Sequence, residues 1–359
     1  MSIHLQHVSV EIGGEKIIDD VDLALERGTM NVLLGATLAG KTSLMRLMAG
    51  LDRPTSGKVL VDGTDVTGVP VRKRSVAMVY QQFVNYPSLS VYENIASPLR
   101  VAKVKGDELD RRVREAARVL GLEPLLKRQP SQLSGGQQQR TAIARALTKR
   151  ADLVLLDEPL ANLDYKLREE LREELPRILS QTGATLVYAT TEPLEALQLG
   201  GRTATLSQGR LIQFGPAPDV YHRPNHIESA RVFSDPPLNE LPITKASTEI
   251  RFNDGTTLPA LGTLAQLSDG DYTMAFRADI VSLRAAWPQS LTFAGEISVA
   301  EISGSESFVH VTSPRGTFVC VEAGVSTLQP GQSVDMHVDA ARVFVFDSAG
   351  ALVAAGRES

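Results

Sequence analysis

The sequence predicts an α/β domain with a largely parallel sheet, followed by a smaller domain built from β-strands. Two observations lead to this prediction. Over residues 1 to about 230, short apolar runs alternate with longer stretches of helical periodicity. From about Ile243 onward, short segments of strand character are separated by turns that contain glycine. With 359 residues, the chain is long enough for two domains of ordinary size.

Composition limits the classes of partner and compartment. The net charge of −5 argues against a broad nucleic-acid-binding surface, so we expect no nucleic-acid partner. Cys320 is the only cysteine, which suits a reducing cytoplasm. No apolar stretch approaches the ~18 residues that a membrane helix needs, and the N-terminus lacks the pattern of a secretion signal. If a membrane is involved, we expect this protein to meet it through a partner.

The elements of the first part follow in order along the chain. Apolar runs predict buried strands at Met30–Leu34, Leu153–Leu156 and Thr185–Ala189. Helical spacing predicts helices at Lys41–Ala49, at Asp107–Leu120 with Gly121 as the stop, and at about Gln137–Leu147. A further amphipathic helix, which Pro176 ends or kinks, is marked by four leucines: Leu163, Leu167, Leu171 and Leu175.

The second part begins after a change of composition. Gly215 to Pro237 is rich in proline and is interpreted as a linker. Beyond it, strand patterns predict a small β-barrel or sandwich, with examples at Thr292–Ile302, Ser307–Thr312, Thr317–Val321 and Ser333–Val338. We therefore predict a first domain at residues 1–235, with a helical subdomain at about 85–150, and a second domain at 236–359.

The loop after the first buried strand has the spacing of a phosphate-binding loop. Gly35 and Gly40 enclose four residues and are followed by Lys41 and Thr42. Glycines let successive backbone N–H groups face a phosphate at the positive end of the next helix. Lys41 is expected to reach the β- and γ-phosphates, and Thr42 to ligate Mg²⁺. The candidate nucleotide-binding residues are Gly35, Ala36, Thr37, Leu38, Ala39, Gly40, Lys41, Thr42 and Ser43.

Two acids end the second buried strand. Asp157 is placed to hold the Mg²⁺ shell, and Glu158 is the candidate to polarise a water in line with the γ-phosphate. An isolated acidic pair would more simply be a solvated strand end. This pair follows four apolar residues downstream of the phosphate-binding loop, which favours the catalytic interpretation.

Ser134 precedes two glycines and a helix. A serine at a helix N-cap, flanked by free N–H groups, is suited to bind an anion, although a plain N-cap is the simpler alternative. The surrounding octapeptide, Leu133 to Arg140, is not explained by other P-loop enzymes such as kinases or GTPases.

Together these motifs resemble the nucleotide-binding subunits of ATP-binding cassette (ABC) importers, in particular the ATPases of carbohydrate, polyol and glycerol-phosphate importers. The resemblance covers almost the whole chain. Asn85 to Ile95 is similar to the segment after the Q-loop, and Pro159 to Asp164 to the D-loop. Gly215 to Leu241 resembles the connection to a C-terminal regulatory domain of the oligonucleotide-binding type. The implied fold is an α/β P-loop ATPase domain with a helical subdomain, plus this all-β barrel.

The resemblance implies functional roles position by position. Gln81 falls at the Q-loop glutamine, which contacts Mg²⁺ or the attacking water. Ser134, Gly135, Gly136 and Gln137 fall at the signature, which closes over ATP bound to the opposite chain of a dimer. Residues around Phe83 to Tyr92 are implied to line the groove for a transmembrane subunit, although core packing explains Phe83 and Tyr86 equally well. The implied cofactors are ATP and Mg²⁺.

The same resemblance implies partners and a location. The partners are transmembrane permease subunits, a second ABC ATPase subunit and, indirectly, a periplasmic solute-binding protein. The location is the cytoplasmic face of the bacterial inner membrane, as a peripheral protein.

Three positions depart from the family pattern. Thr191 stands where the family has a switch histidine, and all six histidines lie elsewhere in the sequence. Losing one positioned donor to a developing charge typically costs ~10²–10³ in rate. Ile12 stands where an aromatic residue stacks on adenine, a change expected to weaken nucleotide binding by ~1–3 kcal/mol. Leu38 replaces a further glycine and would be strained if its φ is positive.

The three departures affect the ATP site that this chain's phosphate-binding loop forms. The signature, which serves the ATP site of the opposite chain, is intact. The leading hypothesis is therefore an importer ATPase that pairs with a different ATPase chain and whose own site turns over slowly. A mainly structural or regulatory nucleotide-binding subunit is the alternative. Substituting Glu158 discriminates the two, because only the first requires it for transport. A soluble ABC ATPase acting on nucleic acid is disfavoured by the single cassette, the acidic charge and the lack of a long insertion.

Overall fold

The computed structural model describes residues 1–161, 165–180, 183–284 and 287–356. Their contacts divide the chain into two compact units, Met1–Ala217 and Pro218–Ser359. The first is α/β and the second is all-β apart from short helices, as the sequence predicts. No helix within the described ranges is long and apolar enough to cross a membrane.

The strands of the N-terminal unit form two sheets. An antiparallel sheet has the order β2-β1-β4-β5, and a second sheet has the order β10-β9-β3-β8-β7-β6. In the second sheet, β9, β3, β8, β7 and β6 are parallel and β10 is an antiparallel edge strand. The strands are β1 (Ile3–Ile12), β2 (Glu15–Leu25), β3 (Met30–Leu34), β4 (Ser56–Val61), β5 (Thr64–Asp65), β6 (Val76–Val79), β7 (Leu153–Asp157), β8 (Thr185–Thr190), β9 (Arg202–Ser207) and β10 (Arg210–Pro216).

Helices cover the parallel sheet and build the predicted helical subdomain from α2, α3 and α4. A hydrophobic core forms between the two sheets and α1, where Leu44, Met45 and Met48 are fully buried. The helices are α1 (Lys41–Ala49), α2 (Val91–Val101), α3 (Gly106–Val119), α4 (Gly135–Thr148), α5 (Tyr165–Ser180) and α6 (Pro193–Leu199). Short 3-10 turns lie at Val71–Lys73, Glu123–Leu125, Pro130–Gln132, Gly262–Gln266 and Ala278–Ile280.

The predicted helix with the leucine stripe is present, and Pro176 does not end it. α5 continues through Pro176 to Ser180 instead of ending there. Proline removes one backbone hydrogen bond, but burial of Leu171 and Arg172 in the preceding turn holds the helix in place. Of the other predicted leucines, Leu163 and the side chains of Leu167 and Leu175 lie outside the described residues.

Register brings the ends of three parallel strands to one edge of the sheet. Leu34 of β3 pairs with Thr190 of β8, and Asp157 of β7 pairs with Ala189 of β8. β7 and β8 are buried along their whole length, which explains their continuous apolar runs. The segments that follow β3, β7 and β8 therefore begin side by side.

The C-terminal unit is an antiparallel barrel-like domain, and the predicted barrel is confirmed. Its sheets have the orders β13-β12-β11-β14-β20-β21 and β15-β19-β16-β17-β18. Phe252, Phe276 and Phe293 are buried in its core. The strands are β11 (Asn239–Ala246), β12 (Glu249–Phe252), β13 (Thr257–Pro259), β14 (Gly270–Phe276), β15 (Val281–Ser282), β16 (Ser290–Ile302), β17 (Glu306–Ser313), β18 (Gly316–Ala323), β19 (Ser333–Asp339), β20 (Phe344–Phe346) and β21 (Leu352–Ala355).

The proline-rich segment, which its composition predicts to be a linker, contains two short helices. It forms α7 (Ala217–His222) and α8 (Ile227–Val232), and residues 218–235 group with the C-terminal unit rather than with the first domain. Side-chain packing explains this: the guanidinium of Arg277 lies 3.7 Å from the centroid of the Tyr221 ring, and Ile227 packs in a cluster with Phe346.

Candidate functional site

The candidate site is centred on the loop from Gly35 to Gly40, between β3 and α1. A Cβ atom at Gly35 would lie 2.6 Å from the carbonyl oxygen of Leu206, and one at Gly40 would lie 2.7 Å from Ile18 Cδ1. Gly40 also has a φ of +99°, in the region that favours glycine. Both glycines are therefore required by the fold itself, in addition to any role in binding phosphate.

Leu38 has a strained backbone at the tip of this loop. Its φ is +69°, so the strain that the sequence made conditional on a positive φ is present. The side chain is 94% exposed and gains nothing from burial within the chain. Ala36 and Thr37 are also exposed, whereas Ala39 is buried and donates its N–H to Ala36 O. Ser43, in the first turn of α1, is half-buried.

Lys41 folds back into the loop. Its Nζ donates to the carbonyl oxygens of Gly35 and Ala36, at 2.8 and 3.0 Å, and lies 3.5 Å from a carboxylate oxygen of Glu158. Burial lowers the pKa of Lys41, against the opposing attraction of Glu158 and Asp157. The ammonium thus takes loop carbonyls as partners, which oxygens of a bound phosphate can replace.

Asp157 and Thr42 form the neighbouring pair. The Thr42 hydroxyl donates to Asp157 Oδ2 at 2.7 Å, and Asp157 is only 3% exposed. Hydroxyl and carboxylate oxygens are hard ligands of the kind that Mg²⁺ prefers. Within the described ranges, no group of three or more His, Cys, Asp or Glu side chains could hold a metal. The donor set fits a Mg²⁺ ion that takes its remaining ligands from water and nucleotide phosphates.

Glu158, which follows Asp157, contacts Gln81, the residue assigned to the Q-loop. Gln81 Nε2 donates to Glu158 Oε2 at 2.7 Å, and the Glu158 N–H donates to Ala189 O at 3.0 Å. Glu158 has a φ of +45°, unusual for a residue with a side chain. Gln81, Lys41, Thr42, Asp157 and Glu158, which the sequence placed in one site, are thus connected by direct contacts.

Replacing Asp157 with asparagine is expected to stabilise the nucleotide-free chain and weaken Mg²⁺-dependent nucleotide binding. Burial raises the pKa of Asp157, so the fold disfavours its charged form. Because the folded pKa lies above the unfolded one, this penalty is complete at neutral pH and disappears as pH falls into the range where the native carboxyl protonates. Asp157→Asn should therefore raise the melting temperature at neutral pH but not in acid.

Asp157→Asn should also weaken Mg²⁺-dependent ATP binding by about 10–100-fold, which is the usual effect of substituting residues around a bound metal. Thermal unfolding at two pH values and nucleotide titration with and without Mg²⁺ measure both effects. Asp52→Asn is the control of opposite sign, since the hydrogen bond from Arg46 lowers the pKa of Asp52. A lower melting temperature for Asp157→Asn at neutral pH would contradict the argument.

The signature lies at the N-terminus of α4. Ser134 is the N-cap, and its Oγ accepts from Gln137 N while Gln137 Oε1 accepts from Ser134 N. A Cβ atom at Gly135 would meet nothing closer than Phe83 Cζ at 4.0 Å. No hydrogen bond or ion pair joins Ser134 to the loop at Lys41 in the part of the chain that the structure describes. Ser134 is exposed.

Thr191 and Ile12 are exposed at the predicted positions. Thr191 directly follows β8, beside the ends of β3 and β7, and Ile12 ends β1 with 65% of its surface exposed. Sequence reasoning missed Glu195, a buried acid in α6 close to Thr191. Its spacing of four from Leu199 puts both on the buried face of α6, whereas Leu194 is 60% exposed. An acid at an apolar helical position was the available signal.

A cavity of about 380 Å³ lies between the parallel sheet and the helical subdomain. Of the predicted segment Phe83 to Tyr92, Tyr86 lines it, while Pro98 and Val101 of α2 and Arg145 of α4 supply other walls. The Arg145 guanidinium lies 4.8 Å from the Tyr86 ring centroid and donates to Val84 O. Tyr86 is 48% and Val101 84% exposed, so the cavity opens onto apolar surface.

Three features define a P-loop ATPase: a glycine loop that enters a helix from the parallel strand β3, a buried lysine at the start of that helix, and a carboxylate pair at the end of the parallel strand β7. Comparisons with known proteins narrow this class. A family model described as "ABC transporter" matches residues 18–161, and one described as "TOBE domain" matches residues 274–346.

Individual relatives match the chain over nearly its full length. The alpha-glucoside transport ATP-binding protein AglK of Rhizobium meliloti is 33% identical over 96% of this chain and 97% of its own. The sn-glycerol-3-phosphate import ATP-binding protein UgpC 3 of Agrobacterium fabrum is 34% identical over 97% and 98%. The trehalose/maltose import protein MalK of Thermococcus litoralis is 34% identical over 96% and 97%.

Among solved structures, the ATP-binding cassette MJ0796, a dimer bound to ADP and Pi, superposes with a TM-score of 0.55. It is 29% identical and covers 60% of this chain and 98% of its own. This chain belongs to the ABC transporter family, as an ATP-binding subunit that is an ATPase.

Proposed function

We propose that this chain energises a solute importer for a sugar, polyol, glycerol or glycerol phosphate. The observation that carries the proposal is the direct contact between Lys41, Thr42, Asp157, Glu158 and Gln81 at one edge of the sheet. Relatives named for alpha-glucoside, trehalose/maltose and sn-glycerol-3-phosphate support the substrate class.

The residues divide by role. The loop residues 35–40 hold the phosphates through their backbone N–H groups, and Lys41 exchanges the Gly35 and Ala36 carbonyls for phosphate oxygens. Thr42, Asp157 and Gln81 are the candidates to hold Mg²⁺, which neutralises phosphate charge when bound. Glu158 orients and deprotonates the attacking water. Its hydrogen bond from Gln81 gives the Q-loop direct influence on that water.

We further propose that this chain pairs with a different ABC ATPase. Leu38 has a positive φ and an exposed side chain, and Ile12 offers no aromatic face. Thr191 can still donate a hydrogen bond, but its side chain is shorter than an imidazole and cannot carry a positive charge. All three belong to the site on this chain's own loop. Ser134 and Gly135 keep a capped helix N-terminus with room for a close approach, and they serve the partner's site. The chain's own site would bind ATP and hydrolyse it slowly.

The apolar cavity between the sheet and the helical subdomain is the proposed docking position for a permease subunit. Tyr86 and Val101 provide apolar contact area, and the cavity lies next to the Q-loop that contacts Glu158. Movement of the permease would thus reach the catalytic carboxylate over a short path. The protein would be peripheral at the cytoplasmic face of the inner membrane, in a transporter that receives its solute from a binding protein.

Purification of the tagged chain from native membranes in mild detergent tests the pairing. We expect one copy of this chain with one copy of a second ABC ATPase that carries the switch histidine, together with permease subunits. Subunit identity and stoichiometry are measured by mass spectrometry. Recovery of two copies of this chain without another ATPase would refute the asymmetric pair and leave a homodimeric importer.

A further inference from the structure

A buried polar network lies directly behind Thr191. Glu195 is 4% exposed, and its carboxylate accepts three hydrogen bonds. They come from the Thr190 hydroxyl at 2.5 Å, the Tyr188 hydroxyl at 3.2 Å and the Arg172 guanidinium at 3.4 Å. Burial and the charge of Glu195 raise the pKa of Tyr188 well above its usual value, so Tyr188 stays protonated and donates.

The Thr190 hydroxyl connects this network to the backbone. Its hydroxyl donates to Glu195 and accepts from the N–H of Glu192 at 3.0 Å. A hydroxyl has one proton, so a charged acceptor on one side leaves its lone pairs for the donor on the other side. The two residues that flank Thr191 are therefore joined by a hydrogen bond that the Glu192 N–H donates, and Glu195 holds the Thr190 hydroxyl in the orientation that accepts it.

Helix α5 contacts Glu192, in the turn, and Glu195, in α6. Arg168 donates to Glu192 at 2.9 Å, and Arg172 donates to Glu195 as well as to Glu169 and Gln198. The turn around Thr191 is thus fixed from one side, while the Thr191 side chain is exposed on the other. The desolvation cost of a buried ion pair can exceed its Coulombic gain, so stabilisation of the fold does not by itself explain the pair of Arg172 and Glu195.

We propose that Thr190 and Glu195 are positioning residues, which fix the turn so that Thr191 meets the terminal phosphate of ATP. Thr190 is 2% exposed and Glu195 4%, so both act through the backbone of Thr191 and not by contact with nucleotide. The inference rests on the proposed function, because it takes Thr191 to face that phosphate. It predicts an effect on the discrimination of ATP from ADP, which a purely structural contact would not produce.

Titration of the full-length chain with ATP and with ADP, each with Mg²⁺, tests this. Thr190→Val removes the hydroxyl and should reduce the ATP-to-ADP affinity ratio by about tenfold, the contribution of one hydrogen bond to a charged group. ADP affinity should stay within about twofold, since ADP lacks that phosphate. Thr190→Ser should restore the ratio. Thr190→Ala removes the same hydroxyl without adding a methyl. It replaces Thr190→Val in the titration if the valine variant does not fold.

Thr203→Val is the matched control. Thr203 is fully buried on β9 of the same sheet, and its hydroxyl has no hydrogen-bond partner among the described residues. Its substitution should leave both affinities unchanged. Glu195→Gln should lower the ratio by about threefold, because a neutral acceptor holds the hydroxyl less firmly. The double variant with Thr190→Val should match Thr190→Val alone, since both interrupt one chain of hydrogen bonds.

The outcomes separate the inference from the function on which it rests. A wild-type chain that binds neither ATP nor ADP would overturn the proposed function and the inference with it. A wild-type chain that binds ATP and ADP equally well would overturn the inference alone, because Thr191 would then gain nothing from the terminal phosphate. A wild-type chain that prefers ATP, with the same preference in Thr190→Val and Thr190→Ala, would overturn the positioning role alone. Additive effects of Glu195→Gln and Thr190→Val would also overturn it.

Discussion

Gly135→Asp is expected to reduce the ATPase rate of the assembled transporter by about 100-fold or more while leaving this chain folded. Nothing in the chain approaches a Cβ at Gly135 closer than 4.0 Å, so the side chain fits. A carboxylate in the first turn of α4 interacts favourably with the helix dipole, worth about 0.3–1 kcal/mol. The same carboxylate would face the terminal phosphates of ATP on the partner, where like charges cost several kcal/mol.

The measurement combines thermal unfolding of this chain with ATPase activity of the complex. Lys105→Asp is the matched control: Lys105 is the N-cap of α3 and its side chain makes no capping hydrogen bond. It also places an acid at a helix start, but away from the signature, and should retain full activity. Gly135→Asp with normal activity would show that the signature of this chain does not serve a hydrolysing site.

Thr191→His is expected to increase hydrolysis at this chain's own site by about 10–100-fold. Thr191 is exposed, so the larger ring can be accommodated, and the turn that carries it is already fixed by Thr190 and Glu192. An imidazole reaches further than a hydroxyl and can carry charge, and one positioned donor is typically worth ~10²–10³ in rate. The gain is expected to be smaller than that range, because Leu38 and Ile12 remain.

Steady-state ATPase measurement of the full-length chain reports the gain. Addition of Glu158→Gln to Thr191→His should abolish it, which assigns the activity to this site. Thr191→Gln supplies a neutral donor of greater reach and should give a smaller increase, which separates reach from charge. Equal rates for Thr191→His and the native chain would mean that the switch position does not limit turnover.

Sequence patterns were sufficient to predict the strands and helices that depend mainly on neighbouring residues in the chain. Met30–Leu34 and Lys41–Ala49 match the predicted strand and helix residue for residue, because a buried apolar run and a glycine-started helix leave few alternatives. The two short helices in the proline-rich segment at 215–237 were not predicted, for the opposite reason. The composition favours a linker, and packing of Tyr221, Ile227 and Phe233 within the C-terminal unit stabilises the helices.

The site shows the same division. Lys41, Thr42, Asp157 and Glu158 could be selected from the sequence because each belongs to a motif of fixed spacing next to a buried strand. Gln81 could be selected only from the family resemblance, and its hydrogen bond to Glu158 was not predicted. Glu195 could be recognised in the sequence only as an acid at an apolar helical position. Its partners could not be predicted, because Thr190 and Tyr188 lie on β8 and Arg172 lies on α5.

The class of protein follows from the sequence alone, because a phosphate-binding loop, a signature and a carboxylate pair occur along the chain in an order that few other proteins share. Which residues act together depends on the tertiary structure. Parallel strands place distant segments at one sheet edge, so Thr42 meets Asp157 and Gln81 meets Glu158 across many residues of chain. The tertiary structure also decided that Leu38 is strained and that Glu195 lies behind Thr191, since backbone angle and burial depend on neighbours that no single segment contains.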